Sequence, residues 1–86
     1  MIKDSLAAIA EHYGLEKQKL KAIEEMAELT KALLKDDREN IIEEIADVEI
    51  MISQLKWLLS VHGQVADVRL RKIDRQLKRM KEEEKA

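Results

Sequence analysis

The sequence predicts an all-α protein, and three observations support this fold class. The 86 residues include no proline and only two glycines, so the chain has little material for turns or strands. Hydrophobic residues make up 45% of the chain and charged residues 40%, which is too apolar for disorder and typical of helical bundles. Apolar residues also recur at helical spacing. We therefore expect one domain over residues 1–86, a short helical bundle subunit.

Two helices are expected in the N-terminal half. A short end helix should run from about Lys3 to His12, capped by Asp4 or Ser5 and ended by Gly14. The second should run from about Glu16 to Lys35 and be amphipathic, because its apolar residues recur at helical spacing. Those residues are Leu20, Ile23, Met26, Ala27, Leu33 and Leu34, and Thr30 recurs with them at the same spacing.

A tight turn should join the second helix to a third. Asp36 and Asp37 form a short connection, and Asp37 is a candidate N-cap with Asn40 three residues later. The third helix should therefore return antiparallel and form a helical hairpin with the second. We expect it to reach about Val61 and to be closed by Gly63.

The fourth helix is expected to be basic. It should start near Gln64 or Val65 and end in the charged tail Lys81 to Lys85, which we expect to fray. Its apolar residues are Val68, Leu70, Ile73, Leu77 and Met80. The net charge of -2 conceals an uneven distribution, because acids are frequent from Glu24 to Glu49 and bases from Arg69 to Lys81.

The third helix has two apolar stripes instead of one. The first consists of Ile41, Ile45, Val48, Ile52, Leu55 and Leu59, and the second of Ile42, Ala46, Ile50 and Trp57. A helix buried from two directions in so short a chain predicts a homo-oligomer built on this helix. Glu44 and Asp47 fall between the stripes, where ionised carboxylates require a cation or must take up protons. The only lysine of the helix, Lys56, points to the opposite side.

The spacing of the acids predicts a metal site. Glu25 and Glu28 project from one face of the second helix, and Glu44 and Asp47 have the same spacing on the third. Across an antiparallel hairpin the two pairs can face each other. Four carboxylates suit Mg²⁺, Mn²⁺ or Ca²⁺, and the lack of cysteine and paired histidines argues against zinc. Mg²⁺ is the leading candidate, and because it is usually completed by substrate phosphates, the site predicts a phosphate-bearing ligand.

Two segments of the sequence resemble the motifs of a known family. Ile23 to Leu29 and Glu43 to Val48 resemble the EExxE and ExxD motifs of the MazG-like, all-α nucleoside triphosphate pyrophosphohydrolases. The resemblance covers about Tyr13 to Arg79. It implies a MazG-like fold that assembles as a dimer or tetramer, with Mg²⁺ held by four residues. These are Glu25, Glu28, Glu44 and Asp47.

The same resemblance implies an activity. Members of the family split the α–β phosphate bond of a nucleoside triphosphate, giving a nucleoside monophosphate and pyrophosphate. Glu24 or Glu25 would take the proton of the attacking water, and the spacing does not decide between them. A basic stretch would contact the β and γ phosphates, from the same or a neighbouring subunit. Its residues here are Lys72, Arg75 and Arg79.

Other functional classes also fit parts of the pattern. The chain could be a non-catalytic helical oligomerisation or interaction module, or a metal-dependent nucleotide sensor. A nucleic-acid binder using the fourth helix is disfavoured by the negative net charge and the scarcity of aromatic residues. No role is predicted for His12, Tyr13, Trp57 or His62. With no apolar stretch of membrane-spanning length and no signal core, a cytoplasmic location is expected.

Overall fold

Four helices account for nearly all of the described chain. The computed structural model describes residues 2–85, and side chains from residue 5 onward. Helix α1 spans Ile2–Tyr13, α2 spans Leu15–Lys35, α3 spans Arg38–Leu59 and α4 spans His62–Lys85. The predicted all-α class and helical bundle are thereby confirmed. No helix in this part of the chain combines the length and apolar character needed to cross a membrane.

Gly14 separates α1 from α2. Its φ of 85° lies in the region that favours glycine, and its N–H donates to the carbonyl of Ala10 at 2.8 Å. This confirms Gly14 as the end of the first helix. The predicted N-cap is wrong, because α1 begins at Ile2 and both Asp4 and Ser5 lie inside the helix.

The turn between α2 and α3 forms as predicted. Asp36 adopts the left-handed conformation with φ 55°, and its N–H donates to the carbonyl of Leu33 at 3.2 Å. Asp37 is the N-cap of α3, because its Oδ1 accepts a hydrogen bond from the Asn40 N–H at 3.4 Å. The two helices therefore pack antiparallel, and theirs is the most extensive helix contact in the described structure.

The junction between α3 and α4 differs from the prediction. Helix α3 ends at Leu59, and Ser60 is its C-cap with a left-handed φ of 56°. The Ser60 N–H donates to the carbonyl of Trp57 at 3.2 Å, which satisfies an end carbonyl without any glycine. Gly63 lies inside the first turn of α4, where it does not interrupt the helix. The charged tail is also helical as far as Lys85.

Helix α4 extends from the rest of the bundle. In the described part of the chain it contacts only α3, and none of its residues is buried. An isolated helix gains little stability in water, since most helical stability in proteins comes from packing of an apolar face. The apolar residues of α4 are therefore available to another surface.

The core consists mainly of small side chains. Its apolar members are Ala10, Ala22, Ala32 and Met51. Alanine at the contacts allows helices to approach closely, and it leaves larger hydrophobic residues pointing outward. Leu34 is 82% exposed, for example, and Leu20 and Ile23 are also exposed on α2.

The face of α3 that meets α2 is the one between its two apolar stripes. This face carries Glu44, Met51 and Gln54, and the last two are buried. All four residues of the second stripe are exposed, and the first stripe is only partly covered. The two predicted apolar stripes of α3 are therefore not fully covered within one chain.

A buried amide pair joins α2 to α3. Gln18 Nε2 donates to Gln54 Oε1 at 2.6 Å, and Gln54 is only 2% exposed. Buried polar groups destabilise a protein when their partner is removed, because the remaining group is neither hydrated nor hydrogen-bonded. The pair therefore favours one register of the hairpin over its neighbours.

We predict that Gln54→Leu lowers the free energy of unfolding by about 1–3 kcal/mol, because it leaves the Gln18 amide buried without its partner. The double variant Gln18→Leu with Gln54→Leu should recover part of this loss. Urea denaturation monitored by circular dichroism measures both. A double variant no more stable than Gln54→Leu alone would contradict the assignment.

Candidate metal centre

Three carboxylates from α2 and α3 meet on the described surface of the hairpin. One oxygen from each of Glu25, Glu44 and Asp47 lies within 4.8 Å of the others. Glu25 and Glu44 are half-buried and Asp47 is exposed. Glu25 lies on α2, whereas Glu44 and Asp47 lie beyond the turn on α3. The antiparallel packing of the two helices therefore brings these residues together.

Of the three carboxylates, Glu44 has the least favourable electrostatic environment. Its Oε2 is buried and has no hydrogen-bond partner in the described part of the chain. Burial raises the pKa of Glu44, and the negative charge of Asp47, followed by those of Glu25, Glu28 and Glu43, raises it further. An oxygen that is desolvated, unpaired and surrounded by like charge is suited to a cation.

Lys21 offsets part of this charge. Its Nζ lies 3.1 Å from Glu25 Oε1, one helical turn away, and the Glu25 side chain is only 14% exposed. The hydrogen bond to Glu25 and the charges of Glu24 and Glu25 raise the pKa of Lys21. Three carboxylates and one ammonium leave two formal negative charges, which a divalent cation would neutralise. Lys21 is absent from the predicted site, although its i,i+4 spacing to Glu25 is a visible signal.

The remaining predicted acids lie beside the cluster. Glu28 is outside the group of three, and its Oε1 lies 3.5 Å from Lys31 Nζ. It is still close enough for its charge to contribute to the raised pKa of Glu44. Glu24 points further outward, with its side chain 64% exposed and its Oε1 3.7 Å from Lys21 Nζ.

The predicted phosphate-binding bases are on a different part of the molecule. Lys72, Arg75 and Arg79 are exposed on α4. Helix α4 has no contact with α2, the helix that carries Glu25, in the described structure. A single chain therefore does not bring these bases to the carboxylates by helix packing.

The donor set determines which ions would fit. All candidate ligand atoms are carboxylate oxygens, which hard divalent cations such as Mg²⁺ and Mn²⁺ prefer. Glu44, with its unpaired buried oxygen, is the residue whose chemistry fits a cation best. The predicted carboxylate metal site is therefore supported for Glu25, Glu44 and Asp47 as a group that could hold a metal ion.

Fold and site together define a class of protein. The helical hairpin presents carboxylates from both of its helices to one point, which is the arrangement that the motif resemblance implied. A match to a family model confirms the resemblance to the MazG-like, all-α pyrophosphohydrolases. Residues 4–81, most of the chain, match the family model described as phosphoribosyl-ATP pyrophosphohydrolase, and the chain belongs to that family. No curated protein and no solved structure matches the chain significantly.

We predict that Glu44→Gln stabilises the metal-free protein at neutral pH. Because the pKa of Glu44 is raised in the folded state, ionising this carboxyl opposes folding. The stability of the metal-free wild type should therefore fall as pH rises from the ordinary carboxyl pKa through the raised one, and the variant should lack this component. Thermal melts across pH in the presence of EDTA measure the difference.

The matched control is Glu49→Gln, which removes an exposed carboxylate of the same helix outside the cluster. Addition of Mg²⁺ should raise the melting temperature of wild type and of Glu49→Gln, but much less that of Glu44→Gln. Equal Mg²⁺ effects on all three proteins would show that Glu44 is not a ligand.

Proposed function

We propose that this protein is a Mg²⁺-dependent pyrophosphohydrolase that converts a nucleoside triphosphate, (d)NTP, and water to the monophosphate and pyrophosphate. The observation that carries the proposal is the group of three carboxylates contributed by facing helices, with one buried oxygen left unpaired. Membership of a pyrophosphohydrolase family supports the reaction class. The surplus of negative charge supports the requirement for a divalent ion.

The residues have distinct tasks in the proposed reaction. Glu25, Glu44 and Asp47 would hold the ion, and Glu28, now 3.5 Å from Lys31 Nζ, would have to turn from that lysine to join them. When bound, the ion supplies charge neutralisation for the phosphates and a more acidic water. The water oxygen forms a bond to the α phosphorus, the bond from that phosphorus to the bridging oxygen breaks, and pyrophosphate leaves.

A carboxylate must also accept the proton of the attacking water. Glu24 and Glu25 both remain candidates for this base. Glu24 is the more exposed and is not in the group of three, so its carboxylate is free of metal ligation in this arrangement. Its neighbour Lys21 contacts both glutamates and would be available to a phosphate oxygen if Glu25 coordinated the ion.

A second substrate is favoured by the family match. The family is described by its action on phosphoribosyl-ATP, which is a substituted nucleoside triphosphate. The same carboxylates and the same phosphorus chemistry would serve either substrate. Comparing phosphoribosyl-ATP with common (d)NTPs at equal concentration distinguishes the two by their kcat/KM values.

We predict that Asp47→Asn and Glu25→Gln each lower kcat/KM for pyrophosphate release by about 100-fold or more, because each removes a metal ligand. Glu49→Gln, on an exposed part of α3 outside the cluster, should retain wild-type activity. Pyrophosphate release in Mg²⁺ is measured for each common (d)NTP and for phosphoribosyl-ATP. Equal activity in all four proteins would remove the catalytic proposal.

We also propose that the protein works as a homo-oligomer, a dimer or a tetramer. Large apolar residues on α2, α3 and α4 point outward, which a lone subunit does not explain. A second copy would cover them as an extended helical bundle. Because α4 does not contact α2 in its own chain, the bases Lys72, Arg75 and Arg79 would reach the substrate phosphates of a neighbouring copy.

We predict that Ile23→Glu, which places a charge among the outward apolar residues of α2, converts the oligomer to a 10.0 kDa monomer. Lys35→Glu introduces the same side chain at an exposed polar position of that helix and should leave the assembly intact. Size-exclusion chromatography with light scattering measures the mass. A monomeric wild type, or an oligomeric Ile23→Glu, would contradict this interface.

A further inference from the structure

A groove of about 440 Å³ lies beside the carboxylate cluster, where α1, α2 and α3 meet. Its walls combine apolar, aromatic, amide and basic side chains. They include Ile9, Tyr13, Gln18, Lys21, Met51 and Gln54. This volume is within the usual range for small-molecule sites, which are largely apolar with a few polar groups that fix orientation.

The groove adjoins the carboxylate cluster of Glu25, Glu44 and Asp47. Lys21 lines the groove, and its Nζ lies 3.1 Å from Glu25 Oε1. On the facing helix, Met51 lines the groove one turn beyond Asp47 of the cluster. A ligand whose phosphates reached the carboxylates would therefore extend its remaining part into the groove.

The floor of the groove offers hydrogen-bonding groups. The bond from Gln18 Nε2 to Gln54 Oε1 uses one donor of the first amide and one acceptor of the second. Gln54 is 2% exposed and its Nε2 also donates to Met51 Sδ at 4.0 Å, so a further hydrogen bond from this pair would come from Gln18, whose amide has a second N–H donor and an oxygen acceptor.

The α1 wall of the groove is suited to the face of a ring. Tyr13 is 52% exposed, and its ring makes an edge-to-face contact with His12 at a centroid distance of 4.7 Å. Ile9 lies one turn earlier on the same wall, and Met51 lies on α3. Aromatic and apolar side chains bind a base by stacking and by exclusion of water.

We infer that this groove binds the nucleoside part of the substrate, with the base against Tyr13 and its edge near Gln18. Lys21 then stands between the nucleoside and the phosphates held at the cluster. The inference rests on the proposed function for the position of the phosphates. The inference assigns the surface that would distinguish a nucleotide from other polyphosphates.

The test compares ligands with and without a nucleoside. Calorimetry in Mg²⁺ measures the dissociation constants of the nonhydrolysable imido analogues of ATP and CTP, and of inorganic tripolyphosphate. For the tighter-binding analogue, Tyr13→Ala should weaken binding about 10-fold through lost stacking. Tyr13→Phe, which keeps the ring, should bind it like wild type. Tripolyphosphate should bind equally to all three proteins.

Three outcomes would overturn the inference. These are an unchanged affinity of Tyr13→Ala for the analogue, an equal loss for tripolyphosphate, or a wild type that binds the analogue no more tightly than tripolyphosphate. Because Tyr13 is half exposed, its truncation should not unfold the chain. Binding is measured without turnover, so a failure of the proposed hydrolysis would appear separately as absent pyrophosphate release.

Discussion

The concentration of negative charge between α2 and α3 is the constraint that organises this molecule. Antiparallel packing fixes Glu25 opposite Glu44 and Asp47, and Lys21 offsets only one of the three charges. The turn fixes one end of the α2–α3 hairpin, and the Gln18–Gln54 hydrogen bond fixes the other. A slip of one residue would rotate the carboxylates away from one another and leave an amide unpaired, so the same contacts set the register and assemble the site.

Close packing at the site has a consequence for the rest of the surface. Alanines at the contacts let the helices approach, so the larger hydrophobic side chains of α2 and the second stripe of α3 face outward. Helix α4 adds a further apolar face that its own chain does not cover. A chain of 86 residues buries only a modest core by itself. The proposed oligomer would therefore serve both stability and catalysis, because it would bury these faces and bring basic side chains to the phosphates.

Local signals predicted more of the structure than long-range ones. The Asp37 cap and the Gly14 break were readable because each depends on a few neighbouring residues. The end of α3 was not, since Ser60 adopts a left-handed conformation that glycine usually provides and Gly63 is inside a helix. Periodicity gave the angular positions of the acids on α3, and the antiparallel turn was needed to predict that they could face those of α2.

Which side chains belong to the carboxylate cluster was also only partly predictable from local sequence signals. The motif spacing pointed to four carboxylates, and the structure groups three of them while Glu28 pairs with Lys31. Lys21 could have been found from its spacing to Glu25, whereas the buried glutamine pair had no signal, because glutamine is ordinarily a surface residue of helices. Side-chain partners depend on rotamers and neighbouring helices, which helical spacing does not encode.

The unpaired oxygen of Glu44 bears on the alternatives that the sequence left open. A helical interaction module would gain stability if an apolar or amide side chain replaced Glu44, because the carboxylate is desolvated and surrounded by like charge. A nucleic-acid binder would gain nothing from acids on its surface. A cation turns the same arrangement from a destabilising feature into a stabilising one, and this dependence favours a metal-dependent function for the hairpin. The adjoining groove supplies what a bare metal site lacks, namely a surface that can recognise the organic part of a phosphorylated ligand.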